Sequence, residues 1–169
     1  MPRIQIATQT DLAAWLQLAA EVEPLFGPLV NEPSFLAALI KNFQRGTAYC
    51  LRDGDEQPGN SLLGGLLFSP RATNYRISWL AVTERARGRG YGAALLQHVL
   101  EQVVPPATVS VITFGKDNPE GKPARQLYMR YGFLPAEMTE SARDGSTRQV
   151  FRLRMPLEQS PPATSAQTI

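Results

Sequence analysis

Arg76-Ile77-Ser78-Trp79-Leu80-Ala81-Val82-Thr83-Glu84-Arg85-Ala86-Arg87-Gly88-Arg89-Gly90-Tyr91-Gly92 is the stretch on which the reading of the chain turns. From Ile77 to Val82 it is apolar apart from Ser78, the composition of a buried strand. From Tyr91 onward Leu95, Leu96, Val99, Leu100 and Val103 recur at helical spacing, with Gln97, His98, Glu101 and Gln102 on the other side. Between the two lies a basic loop. Gly88, Gly90 and Gly92 carry no Cβ and reach positive φ freely, so several backbone N–H groups can converge on one anion. They converge at a helix N-terminus, where unpaired N–H groups and the macrodipole favour negative charge. Arg85, Arg87 and Arg89 add side-chain charge. A phosphate or pyrophosphate is the expected guest.

Two common phosphate loops do not fit. A Walker loop places Lys-Ser/Thr after its last glycine, where this chain has Ala93-Ala94. A dinucleotide fingerprint needs G-x-G-x-x-G, and Gly88-Arg89-Gly90-Tyr91-Gly92 has different spacing. What remains is R-x-x-G-x-G, carried by Arg87, Gly90 and Gly92 after Leu80-Ala81-Val82. A second pattern, A-x-x-L-Y-x-x-x-G-F, is formed by Ala124, Leu127, Tyr128, Gly132 and Phe133. Pro123 suits the start of the helix that carries it, and Gly132 a left-handed C-cap. Together the two patterns resemble the GNAT superfamily, the acetyl-CoA-dependent N-acyltransferases.

Composition bounds the alternatives. A chain of 169 residues is expected to be one domain, here 1–157, with a disordered Pro- and Ser-bearing tail at 158–169. A net charge of +2 gives no global reason to bind nucleic acid or an anionic membrane. The single cysteine, Cys50, sits in a strand-like run, and with one histidine the chain offers no metal-ligand cluster, so no metal is expected. No apolar run approaches a membrane span, and Met1 to Ile6 has no leader core, so a cytoplasmic location is expected.

The remaining chain supplies a mixed α/β (α+β) order, β-α-α-β-β-β-α-β-α-β-β. A strand at 3–7 leads through Thr8 to Asp11, which carry capping chemistry, into a helix with Leu12, Trp15, Leu16, Ala19 and Val22 on one stripe, ended by Pro24. Pro33 opens a second helix and Gly46 stops it. Strands follow at 47–53 and 61–69, where Gly64-Gly65 predicts a bulge or a close backbone approach. Another strand is expected at 109–114, and a last hairpin pairs 135–138 with 148–155 across Asp144-Gly145. His98 falls on the polar face of its helix, far from the loop, and reads as a surface residue.

The resemblance implies a mostly antiparallel central sheet of about six to seven strands flanked by four helices. It implies that Leu80, Ala81 and Val82 hydrogen-bond the pantetheine arm of acetyl-CoA. The pyrophosphate would lie on the amides of Gly88 to Ala93, that is Gly88, Arg89, Gly90, Tyr91, Gly92 and Ala93, with Arg87 also a coenzyme-binding residue. Asn118 matches an asparagine that contacts the coenzyme, although Gly121-Lys122-Pro123 looks like an insertion before Tyr128. Tyr128 stands where the family places the proton donor to the CoA thiolate, and the Leu80 N–H where the acetyl carbonyl is polarised. The reaction so implied is direct attack of an amine on the thioester in a ternary complex, through a tetrahedral intermediate.

Many relatives carry a general base on the central strands, where this chain offers Ser78, Ser110 and Thr113. Glu84 lies at the phosphate end. Glu21, Glu23 and Glu32 fall in the region that walls the family's acceptor site, with Phe26, Trp79 and Phe114 as its aromatic lining. That composition suits a small-molecule primary amine with apolar character. A protein N-terminus or lysine as acceptor, and a catalytically silent CoA-binding sensor, stay open at this point. So does a homodimer.

Overall fold

In the computed structural model, which describes residues 1–139 and 145–157, seven strands share one sheet. They are β1 (Ile4–Ile6), β2 (Ala48–Arg52), β3 (Leu62–Ser69), β4 (Asn74–Val82), β5 (Ala107–Phe114), β6 (Leu134–Met138) and β7 (Arg148–Met155). Helices α1 (Leu12–Phe26), α2 (Pro33–Arg45), α3 (Tyr91–Leu100) and α4 (Lys122–Arg130) are threaded between them in the expected order. The spatial order is β1-β2-β3-β4-β5-β7-β6, antiparallel except for the parallel β4–β5 pair. The expected turn at Asp144, and the tail at 158–169, lie outside the described residues.

Each face of the sheet buries its own apolar cluster. Trp15, Leu18 and Val22 of α1 pack with Leu39 and Phe43 of α2 over Leu67, Trp79 and Ala81. On the other face Leu95, Leu96 and Val99 of α3 and Tyr128 of α4 cover Leu66, Ile77, Val109 and Phe151. Burying each large apolar side chain stabilises the fold by about 1.5–3 kcal/mol, and the helical stripes of α1 and α3 read from the sequence are the faces buried. Cys50, fully enclosed in β2, is inert: burial pushes its thiol up to about 12.

One local expectation is corrected and one is resolved. Pro24 does not end α1, which continues to Phe26 and stops at Gly27 with φ 83°. The helix tolerates the ring in its last turn, where few intrahelical bonds are lost. Of the two readings of Gly64-Gly65 the close approach holds, and the extra residue of β3 is Leu63 just before the pair, since Leu51 faces Gly64 while Arg52 faces Leu62. A Cβ on Gly65 would lie 2.8 Å from the Trp15 ring, and one on Gly64 would lie 3.1 Å from the Ala81 carbonyl oxygen and 3.2 Å from Leu95. The glycines admit neighbouring groups.

A further bulge sits in β4. Leu67 pairs with Trp79 but Phe68 with Ile77, leaving Ser78 as the extra residue. A bulge bends its strand and locally increases its twist. Correspondingly, β4 stays paired with β5 only from Asn74 to Ile77, against Thr108 to Val111, and the two strands then part.

A buried ion pair ties β2 to the start of α1. Asp11, fully enclosed, accepts from Arg52 Nε at 2.9 Å and Nη2 at 2.7 Å, and from the Gly59 N–H at 3.0 Å. The Thr8 N–H closes the local cap on the same carboxylate at 2.9 Å. Arg52 also meets the Gln5 side chain.

Candidate active site

The parting of β4 and β5 turns a row of backbone groups toward an open edge. The Thr83 N–H donates to the Leu63 carbonyl at 2.9 Å, on the β3 side. Strand alternation therefore directs the main-chain groups of Leu80 and Val82 to the opposite side, where β5 has already left. An extended ligand can pair there as an added strand would.

At the end of β4 the chain forms a short 3-10 turn at Glu84–Ala86, then reverses through Gly88 (φ 76°) and Gly90 (φ 84°) into α3. Around the Cβ position of either glycine there is open space. The first N–H groups of α3, those of Tyr91, Gly92 and Ala93, have no intrahelical acceptor. Arg87 bends back so that its Nε donates to the Val82 carbonyl at 3.2 Å, Arg85 pairs with Asp53 at 2.8 Å, and Arg89 is exposed. Open glycine backbone, a free helix N-terminus and exposed guanidinium groups fit a pyrophosphate.

Tyr128 lies on the α3–α4 face, 4% exposed, with its ring 5.6 Å from Phe133 and 6.3 Å from Phe151. Burial raises its pKa, so the phenol keeps its proton well beyond neutral pH. Among the described residues, the buried side-chain polar atoms without a partner are the indole nitrogens of Trp15 and Trp79, and the Tyr128 hydroxyl is not one of them. Asn118 is turned to a local task, its Oδ1 accepting from the Glu120 N–H at 3.0 Å ahead of α4. It lines a cavity of about 580 Å³ together with Lys116, Lys122 and Arg125.

On the opposite face a cavity of about 460 Å³ is lined by Phe26, Leu29, Glu32, Phe35, Ala38, Leu67, Ser78 and Trp79, together with Gly27, Pro28 and Ser34. Phe26 spans the place where the strands part: its ring lies 6.4 Å from Trp79 of β4 and 5.7 Å from Phe114 of β5. Phe35 completes the wall, 6.0 Å from Trp79. Because Ser78 lines this cavity, it reaches β4 at the residue where the strand leaves β5.

The structure brings together Phe26, Trp79 and Phe114 of the expected acceptor residues, but not Glu21 and Glu23. Glu23 accepts from the N–H groups of Leu29 at 3.0 Å and Val30 at 2.9 Å, and these two bonds hold its carboxyl below the usual range. It braces the connection between α1 and α2. The carboxylate of Glu21 instead receives the Thr83 hydroxyl and the Glu84 N–H. Glu32 is the ionisable side chain among the described lining residues. His98 is half-buried, its ring 5.0 Å from Tyr49 in the last turn of α3. Phe35 went unnoticed in the sequence, although its four-residue spacing from Leu39 and Phe43 marks a single helical stripe.

This fold coincides with that of a known family. The sequence profile described as the acetyltransferase (GNAT) family matches residues 12–133, more than half of the chain. The chain belongs to that family and is an acyltransferase. Among curated proteins no sequence matches it. Solved structures share the fold at low identity. A GNAT-family acetyltransferase from Bacillus cereus is 17% identical, with a TM-score of 0.69 over 94% of this chain and 99% of its own. The ribosomal-protein-S18-alanine N-acetyltransferase of Escherichia coli is also 17% identical, with a TM-score of 0.71 over 94% and 97%. Ard1 from Thermoplasma volcanium is 21% identical, with a TM-score of 0.69 over 92% and 98%.

Proposed function

We propose that the protein transfers an acetyl group from acetyl-CoA to the primary amine of a small molecule whose apolar part fills the aromatic cavity. One observation carries the reading. The cavity on the α1–α2 face meets β4 at Ser78, where the strand parts from β5, and the buried phenol of Tyr128 belongs to the opposite face. Donor and acceptor can thus approach the same opening in the sheet from its two sides.

Acetyl-CoA, when bound, supplies a thioester whose carbonyl carbon takes the C–N bond from the amine first and then loses the C–S bond. The chain's own groups then divide the work. The open edge at Leu80 and Val82 aligns the pantetheine arm, and the Leu80 N–H is a donor for the acetyl carbonyl. Gly88, Gly90 and the first turn of α3 take the pyrophosphate. Tyr128, kept neutral by burial, gives its proton to the departing sulfur. Glu32 faces the arriving amine, orients its charged form and takes up the proton it must lose before attack. Phe26, Phe35, Trp79 and Leu29 exclude water around the apolar body.

Thermal unfolding with acetyl-CoA, CoA and NAD tests the donor half of this reading. A ligand at about 100 times its Kd stabilises the native state by about 2.7 kcal/mol, a rise in Tm of several degrees for a domain of this size. Both CoA species are expected to raise Tm and NAD to leave it unchanged; no rise with either CoA species contradicts the reading.

A further inference from the structure

Glu21 stands apart from the acceptor cavity and makes a set of contacts that the transfer reaction does not by itself explain. Its Oε1 accepts from the Glu84 N–H at 2.7 Å and from Thr83 Oγ1 at 2.9 Å, and its Oε2 lies 2.8 Å from the same hydroxyl. The Glu84 N–H is the first donor of the 3-10 turn at Glu84–Ala86, a group left without a partner inside the turn. Thr83, buried at 4% exposure, is in the N-cap position but does not cap the turn with its own side chain. The capping oxygen comes instead from a helix more than 60 residues earlier in the chain.

Charge makes the arrangement informative. A carboxylate beside a loop that receives phosphate opposes the ligand electrostatically, so its presence calls for a geometric role. Charge-assisted bonds to a backbone N–H and a buried hydroxyl are among the stronger ones a surface helix can make. They set the direction in which the chain leaves β4, and with it the placement of Arg87 to Gly92. Glu21 also lies little more than one turn before Phe26, so the helix that walls the acceptor cavity holds the donor loop as well.

We infer that Glu21 is a donor-side positioning residue, which fixes the first turn of the phosphate-binding loop through Thr83 and the Glu84 N–H. The inference rests on the acetyl-CoA reading above and assigns Glu21 to the pyrophosphate half of the ligand. It separates that half from the pantetheine half, which pairs with β4.

The test compares CoA with pantetheine, which lacks the pyrophosphate and adenosine, by titration calorimetry on the full chain. Glu21→Ala is expected to raise the Kd for CoA roughly tenfold while leaving that for pantetheine within twofold. Glu21→Gln, which keeps an oxygen for the Glu84 N–H, should recover most of the loss. Thr83→Val, which removes the hydroxyl donor, should reproduce the selective loss in part and serves in place of Glu21→Ala if that chain does not fold. An unchanged Kd for CoA in these variants overturns the assignment, and so does an equal loss for CoA and pantetheine. A wild-type chain that binds neither ligand overturns the acetyl-CoA reading and this inference together; wild-type binding that Glu21→Ala leaves intact overturns this inference alone.

Discussion

Ile77 and Trp79, two residues apart in β4, point to opposite faces of the sheet. In a regular strand they would share a face. Ser78 is the extra residue that separates them: Ile77 packs with Leu95 and Leu96 of α3, and Trp79 with Trp15 of α1 and Leu39 of α2. One bulge therefore frees the β4 edge from β5 and also delivers an aromatic ring to the aromatic cavity. The two halves of the proposed site are made by the same irregularity.

Phe26 bridges that opening and is half-buried, so its ring can be removed without emptying the core. Phe26→Ala is expected to raise the KM for an apolar amine roughly five- to tenfold, the equivalent of about 1–1.4 kcal/mol of lost apolar contact. The KM for acetyl-CoA should not move. Steady-state kinetics with each substrate varied in turn checks the split, and equal changes in both constants would count against Phe26 as an acceptor wall.

Gly65 has no room for a side chain, since its Cβ would sit 2.8 Å from the Trp15 ring. Gly65→Ala should destabilise the protein by about 1–3 kcal/mol through overpacking. Trp15→Phe in the same chain should relieve the clash, so that the double variant loses less than the sum of the two single ones. Urea unfolding of the four chains measures the coupling; strict additivity would show that the contact is not the cause.

Asp11 and Arg52 are buried together, at 0% and 4% exposure, and removing one partner strands the other. Asp11→Ala is expected to destabilise by about 3–5 kcal/mol. Burial opposes ionisation of Asp11, but the Arg52 guanidinium and the N–H groups of Gly59 and Thr8 outweigh it and hold the carboxyl below the usual carboxylate range. A depressed folded-state pKa means that the stabilisation is complete above the unfolded value, near 4, and is lost as pH falls through the folded one. The stability gap between wild type and Asp11→Asn, measured by denaturant titration, should thus be constant from pH 5 to 7 and narrow below about pH 4.

What the sequence made legible, and what it hid, follows from where each signal resides. The glycine loop, Pro33, Gly46 and Gly132 announce themselves because φ preference and capping are local properties of a residue and its neighbours. The order of elements followed from those signals and from apolar periodicity. Ser78 carries no such signal, because its status as an extra residue is set by the pairing of Leu67 and Phe68 on another strand. The glutamates show the same limit. Glu21, Glu23 and Glu32 are alike in the sequence, and only the fold sends the first to Thr83, the second to the Leu29–Val30 turn and the third to the cavity.

Thiol release from acetyl-CoA, followed with a series of primary amines of increasing apolar size in wild type and in Tyr128→Phe, tests the central claim most directly. The account predicts amine-dependent, saturable release that grows with apolar size until the cavity is filled. It also predicts a fall in turnover of about tenfold or more in Tyr128→Phe, with the Kd for acetyl-CoA unchanged. Release that no amine stimulates, or a Tyr128→Phe chain that turns over at the wild-type rate, would contradict it.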